Sequence, residues 1–378
     1  MFDHLHYQLR LYIQAGTTAF VLAAVLTPLL IVILRKLNMM DDAIKGKLHE
    51  RPVPRGGGMA IFIAFAAAVL LPNYRDNPMK GVMFGAFVCM VVGMVDDIRG
   101  VPAVVKLLTL FVVTMVMSHF GVRVTLTGYG PADLAITLVW IVGVTSAFNG
   151  IDNMDGLASG IAAIVSLMFL IIAVMNFFRV GTEHPLTWFG LLAAGLLGAN
   201  LGFLIFNFRP AHIFMGDAGS FFLGFTLAAL GVMGRWNEDR VIAAAIPLLI
   251  LGVPIADFAY TIITRIVRGE TRSLRSIIEH CALDHLSHRL IWIGFTQRKA
   301  VLFIYLICAA LGITGILLRT ASTFTDTALA FVQGMAILTI VGVLMAAVKD
   351  RHLCMLRQEI ARIKGEPFDP NTHEDLLR

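Results

Sequence analysis

Residues 133–178 read DLAITLVWIVGVTSAFNGIDNMDGLASGIAAIVSLMFLIIAVMNFF. Two apolar runs, 133–149 and 157–178, flank a short polar turn. Each run can cross the roughly 30 Å hydrocarbon layer of a bilayer as a helix. The turn, Asn149-Gly150-Ile151-Asp152-Asn153-Met154-Asp155-Gly156, packs six polar or glycine residues between them, more than a plain linker needs. Asp152 and Asp155 stand three apart and share a face if the turn is helical. A carboxylate at a membrane surface is costly unless it holds a cation, a proton or a partner charge.

The same alternation runs through the chain of 378 residues. Apolar stretches at about 14–34, 57–72, 81–95, 102–119, 133–149, 157–178, 186–206, 219–234, 241–264, 299–319 and 328–348 predict an all-α integral membrane bundle of eleven spans. Hydrophobic residues make up 58% and charged residues 15%, with mean hydropathy +0.80, which excludes an ordinary soluble domain. Net charge is +5, and the sequence pI is about 9.1. In a membrane chain the excess of basic loops reports orientation and anionic lipid or substrate, with no nucleic acid implied. Cys89, Cys281, Cys308 and Cys354 are scattered and predict neither disulfide nor zinc site. The first apolar run continues into a full span rather than a cleavable signal.

Arg35, Lys36, Lys45, Lys47, Arg51, Arg55, Arg209, Arg265, Arg268, Arg272 and the tail fall in segments following odd-numbered spans. That bias predicts an external N-terminus and a cytoplasmic C-terminus. A transmembrane domain, 1–348, would carry cytoplasmic loops at 35–56, 96–101, 149–156, 207–219 and 265–298. The tail, 349–378, has Leu353, Leu356, Ile360 and Ile363 between basic residues. It reads as an amphipathic helix on the cytoplasmic membrane surface, or as a solvated or partner-binding helix.

All the unusual carboxylates then share one face. Asp96-Asp97 closes the third span; adjacent helical residues point about 100° apart, which suits divided roles better than joint chelation. Asn207-Phe208-Arg209-Pro210-Ala211-His212-Ile213-Phe214-Met215-Gly216-Asp217-Ala218-Gly219-Ser220 leads into the eighth span. Asp217 or Ser220 can cap that helix, and its N-terminus also suits phosphate or a metal–phosphate complex. Phe214 offers a ring for stacking on a base, or an interfacial anchor. Asp284-His285-Leu286-Ser287-His288-Arg289 can neutralise a diphosphate, or can be a solvated basic loop. Lys47, His49, Arg51 and Arg55 form a second basic cluster before Gly56-Gly57-Gly58. Asp257, inside the ninth span, can pair with Arg265 or lie in a polar seam.

With Asp96-Asp97, Asn149-x-x-Asp152-x-x-Asp155-Gly156 and Phe214-Met215-Gly216-Asp217-x-Gly219-Ser220 in this order, the chain resembles the polyprenyl-phosphate N-acetylhexosamine-1-phosphate transferases. These are the WecA/TagO-like group, related to the MraY transferases of peptidoglycan synthesis. The likeness spans essentially the whole chain. It implies transfer of a sugar 1-phosphate, GlcNAc-1-phosphate by default, from a UDP-N-acetylhexosamine to polyprenyl (undecaprenyl) phosphate, with release of UMP. This would be the first lipid-linked step of an envelope polysaccharide such as lipopolysaccharide or teichoic acid. Magnesium is the implied cofactor, with manganese as an alternative. The implied location is the bacterial inner membrane with the site facing the cytoplasm, and a homodimer is compatible with it.

Residue by residue, the resemblance makes Asp217 a metal ligand. It gives Asp96 or Asp97 the lipid phosphate, with the other near the metal, and we assign that second ligand to Asp97. Asn149, Asp152, Asp155 and Asn207 match the nucleotide-sugar pocket and Phe214 the uracil-stacking position. Lys47 matches a basic residue at the nucleotide side, and His285 and His288, with Arg289 beside them, match the His-rich motif. Two positions depart from the family pattern: Ser287 replaces the middle histidine of His-x-His-His, and Asn153 stands where glycine is commoner. Competing expectations are a phospho-MurNAc-pentapeptide transferase, a non-catalytic binder and a cation-coupled transporter. The transporter would place its carboxylates near the midplane and carry inverted repeats, which this chain lacks.

Overall fold

The computed structural model describes residues 2–41, 52–72, 76–180, 187–234, 236–237, 239–267 and 285–347. They form thirteen helices and one two-stranded ribbon. The helices are α1 (Phe2–Lys36), α2 (Gly58–Leu70), α3 (Asn77–Arg99), α4 (Ala103–His119), α5 (Gly130–Ile151), α6 (Leu157–Val180) and α7 (Thr187–Asn207). They continue with α8 (Gly216–Met233), α9 (Arg240–Ile250), α10 (Gly252–Val267), α11 (Leu286–Trp292), α12 (Gln297–Thr320) and α13 (Phe324–Ala347). The ribbon pairs β1 (Met40–Asp41) antiparallel with β2 (Val53–Pro54). The amphipathic tail expected at 349–378 lies outside the described residues.

Each apolar stretch read from the sequence is helical, but the count of eleven full spans is not confirmed. Among the described residues eight helices (α1, α3, α5, α6, α7, α8, α12, α13) are long and apolar enough to cross a membrane, or nine spans if the bent pair α9–α10 counts as one. The helix expected over 241–264 is broken: α9 and α10 meet at a bend of 83°. Pro247 lies inside α9, and Gly252 and Pro254 open α10. Proline removes an N–H and crowds the preceding turn, so the sequence itself carries the cause of the bend. Helices α2 and α4 have only 13 and 17 residues. At 1.5 Å per residue α2 reaches about 20 Å, short of the bilayer core.

Helix α8 is the axis of the bundle. Residues Ala218–Gly231 are all buried, wrapped by α2, α3 and α5. Aromatic side chains fill that contact, with Phe222 edge-on to Phe62 at 5.3 Å between ring centres. By contrast, α1 presents Val21, Val25, Leu29 and Val32 outward, and α13 presents Leu329, Val332, Met335, Ile340 and Val343. Apolar side chains facing outward over whole helices suit lipid, not water. The protein is a multi-pass membrane protein.

Candidate active site

Helix α8 begins at Gly216 with φ +71°, followed by backbone N–H groups at Asp217 and Ala218 that, in the first turn, have no partner within the helix. Both donate to the carboxylate of Asp97 on α3, at 2.8 and 3.0 Å. A side chain at position 216 would place its Cβ 2.5 Å from Asp97 Oδ2, so only glycine fits. Helix α3 comes this close because Gly93 lies flat on α8: a Cβ there would stand 2.2 Å from the Asp217 carbonyl oxygen. Asp97 also accepts from Arg55 Nε at 2.8 Å, and its side chain is fully sealed from solvent.

Arg55 arrives by a backbone splice. Phe214 N donates to the Pro54 carbonyl at 2.8 Å, and Gly57 N and Gly58 N donate to the carbonyls of Phe214 and Met215 at 2.9 and 2.8 Å. The segment after β2 is thereby stitched to the α7–α8 loop, which carries Arg55 across α8. Its guanidinium spans both acids, reaching Asp217 Oδ1 at 3.3 Å. Lys106 of α4 donates to Asp217 Oδ2 at 3.1 Å and pairs with Asp96. The other oxygen of Asp96 accepts Val101 N at 2.5 Å.

Asp152, just past α5, feels the charges of Asp217, Arg55 and Asp97. Burial, then repulsion from Asp217, pushes its carboxyl up from 3.8 to about 7, with Arg55 opposing in part. Among the described residues no group donates a hydrogen bond to this carboxylate. Four carboxylates from three separate stretches of chain therefore converge on Arg55 and Lys106, and acid outnumbers base.

The loops that frame this cluster are tied to one another. Ser220 donates to Asn149 Oδ1 at 2.8 Å, and Ala211 N donates to Asp155 at 3.2 Å. Phe214 is half-buried above the splice just described. Asn207 is buried, accepting from Ser159 at 2.7 Å and donating to the Ile213 carbonyl at 2.9 Å. Its side chain braces the α7–α8 loop from beneath. Ser287 and Asn153, the two departures from the family pattern, contact each other: the Ser287 hydroxyl donates to Asn153 Oδ1 at 2.7 Å. His285 Nδ1 lies 2.7 Å from Asp257, and His288 Nδ1 lies 3.4 Å from the Ser287 hydroxyl.

Residues 79–235 match the model of glycosyl transferase family 4, a stretch from α3 to the end of α8 that holds all four converging acids. A protein of Bacillus subtilis named as a probable undecaprenyl-phosphate N-acetylglucosaminyl 1-phosphate transferase is 33% identical over 318 residues, covering 82% of this chain and 85% of its own. The chain belongs to glycosyl transferase family 4. A decaprenyl-phosphate N-acetylglucosaminephosphotransferase of Mycolicibacterium smegmatis is 31% identical, over 68% of this chain and 70% of its own. A phospho-N-acetylmuramoyl-pentapeptide-transferase of Halalkalibacterium halodurans is 28% identical, over 71% and 86%.

In this glycosyl transferase family 4 chain two of the expected site residues are held by contacts within the protein. Asp97, expected as a second metal ligand, has both oxygens engaged and a sealed side chain, and it anchors the start of α8 and holds Arg55. Arg289, expected at the diphosphate, is buried, with its guanidinium 5.1 Å from the Tyr260 ring centre and donating to the Met345 carbonyl; these two contacts join α11 to α10 and α13. Lys47 lies outside the described residues. Lys106 was missed, although a lone cation inside an apolar stretch is a signal in its own right. Arg55 was read only as one of a basic group; its role needs the splice to Phe214, which no local pattern announces.

Proposed function

We propose that this protein transfers an N-acetylhexosamine 1-phosphate, GlcNAc-1-phosphate first among the candidates, from a UDP-sugar to polyprenyl phosphate. A phosphate oxygen of the lipid would attack the phosphorus that bears the sugar. The bond from that phosphorus to the bridging oxygen would break, and UMP would leave with the electron pair. The carrying observation is the convergence of Asp96, Asp97, Asp152 and Asp217 at one end of the bundle around Arg55 and Lys106. The names of the relatives point the same way.

Among the described residues no three His, Cys, Asp or Glu side chains form a ready metal cage. Magnesium needs none: it keeps several waters and takes one or two carboxylates plus substrate phosphates. Asp217, whose side chain stays 21% exposed beside Arg55 and Lys106, and Asp152, which accepts no hydrogen bond among the described residues, are hard oxygen donors that would hold it. When bound, magnesium supplies neutralisation of the diphosphate, which would otherwise repel an anionic nucleophile. Arg55 and Lys106 would draw the two phosphate groups together, and the α8 N-terminus adds its own partial positive charge. Asp96, beside Lys106, would orient the lipid phosphate or take its proton; the enclosure of Asp97 supports giving this role to Asp96. Asn149, Asp155 and Phe214 would line the nucleotide-sugar side, and His285 and His288 would offset diphosphate charge.

The positive-inside bias supports a site opening to the cytoplasm at the bacterial inner membrane. The test offers UDP-GlcNAc, UDP-GalNAc and UDP-MurNAc-pentapeptide with undecaprenyl phosphate, with and without magnesium. UMP is quantified and the lipid product weighed by mass spectrometry. A GlcNAc-diphospholipid formed only with the metal is expected; no UMP release with any donor would refute the reading.

A further inference from the structure

Asp257 lies on α10, beyond the 83° bend, and is 2% exposed. A carboxylate so enclosed within a membrane protein requires strong partners. Both its oxygens are spent on the start of α11. Oδ1 accepts the Leu286 backbone N–H at 2.7 Å, and Oδ2 meets His285 Nδ1 at 2.7 Å. One oxygen therefore places the chain of residue 286, and the other fixes the ring of residue 285.

A carboxylate accepts and does not donate, so it makes Nδ1 the protonated nitrogen of His285. The opposite edge of the ring is aimed at the last turn of α5. A Cβ on Gly150 would lie 3.1 Å from Cε1 and 3.6 Å from Nε2. Gly150 is adjacent to Asn149 and two residues before Asp152, in the end of α5 that leads into the carboxylate cluster. The bend between α9 and α10 thereby gains a purpose: it points α10 so that Asp257 meets α11.

We propose that Asp257 is a positioning residue for the transfer reaction, holding His285 in one tautomer with its Nε2 edge turned toward the Asn149–Asp155 turn. The proposal rests on the transfer reading above and adds a residue to it. Helix capping alone would occupy one oxygen, through Leu286 N. The second oxygen is committed to the imidazole, and that commitment separates positioning from packing.

The experiment measures UMP release by the full-length protein in detergent, with magnesium, UDP-GlcNAc and undecaprenyl phosphate. Asp257→Asn keeps an acceptor for Leu286 N but presents an NH2 to Nδ1, which moves the imidazole proton to Nε2. The expected result is a fall in kcat of about 10- to 100-fold with KM for the donor nearly unchanged, the usual size of an orienting partner's effect. His285→Ala should fall at least as far, and Asp257→Asn combined with His285→Ala should be no slower than His285→Ala alone. Losses that multiply in the double variant, or a wild-type kcat in folded Asp257→Asn, overturn the proposal. If the Asn variant does not fold, Asp257→Glu is used in the same cycle: it keeps the charge, displaces the ring by one methylene, and is judged by the same criterion. Wild-type protein that releases no UMP overturns the transfer reading, a result separate from an active wild type with additive variants.

Discussion

Asp133 and Asp217 both stand in the first turn of a helix, α5 and α8, and those two helices lie side by side. They run antiparallel, since Asn149 meets Ser220 near one end and Trp140 Nε1 donates to the Ala228 carbonyl at 2.9 Å further along. The two acids therefore sit at opposite ends of the bundle. Asp133 accepts from Leu126 N, Thr127 N and the Thr127 hydroxyl at 3.1, 2.8 and 2.8 Å, all within seven residues. It closes its own loop and is finished. Asp217 takes its partners from Arg55 and Lys106, 162 and 111 residues away, and keeps 21% of its side chain exposed. A carboxylate satisfied locally belongs to the fold, while one held half-open between distant cations is available to a ligand.

The largest effect expected from breaking this contrast is Asp217→Asn. UMP release should fall by about a thousandfold or more, the scale on which a principal electrostatic group is lost. The detergent-solubilised protein should still melt cooperatively, and normal turnover would remove Asp217 from the chemistry.

Asp97→Asn tests the link between the two roles, because Asp97 both anchors the α8 N-terminus and holds Arg55. Asp97 itself is sealed while Arg55 is partly exposed, so the cost is that of disturbing a buried acceptor's hydrogen bonds, about 1–3 kcal/mol. A clear drop in melting temperature together with lost transfer is expected. Lost transfer at an unchanged melting temperature would contradict the anchoring role.

Asp152 sharpens the comparison through pH. The folded chain holds its proton up to about 7, against 3.8 for an unperturbed carboxyl. Its stabilising contribution is therefore present at low pH and is lost as pH rises through about 7. Wild-type melting temperature should fall over that interval more than that of Asp152→Asn. Transfer should move the opposite way, rising as Asp152 ionises and can hold a cation; a variant with the same two profiles as wild type would exclude this group.

The smallest effect belongs to the local acid. Asp133→Asn keeps an acceptor for Leu126 N and Thr127 N, so melting should shift only slightly and UMP release should stay at the wild-type rate. A loss of transfer there would erase the distinction between the two ends.

Much of this architecture is legible in residue order. Apolar runs bounded by glycine and polar turns located the long helices, because the bilayer penalises unsatisfied backbone and leaves few alternatives to helix, while the short α11 lies in the stretch 265–298 read as a loop. The bend at Leu251 was written in Pro247, Gly252 and Pro254, yet an uninterrupted apolar run from 241 to 264 outweighed those breakers. Asp96, Asp152 and Asp217 stood out because charge at an apolar boundary is expensive. Arg289 shows the limit of local pattern: a basic residue beside two histidines has the same local appearance whether it faces a diphosphate or the ring of Tyr260.

Residue order by itself determined the membrane class, the helical stretches and which acids are out of place, since these follow from transfer free energies and spacing within a few residues. The tertiary structure alone decided which cation meets which acid, that Asp97 is sealed while Asp217 stays open, and that Asp257 faces His285. Those outcomes depend on helices α3, α4, α8 and α10 approaching to within hydrogen-bond distance at glycines and bends. Charge interactions of that kind vanish with a shift of a few ångströms, and no local pattern carries that information.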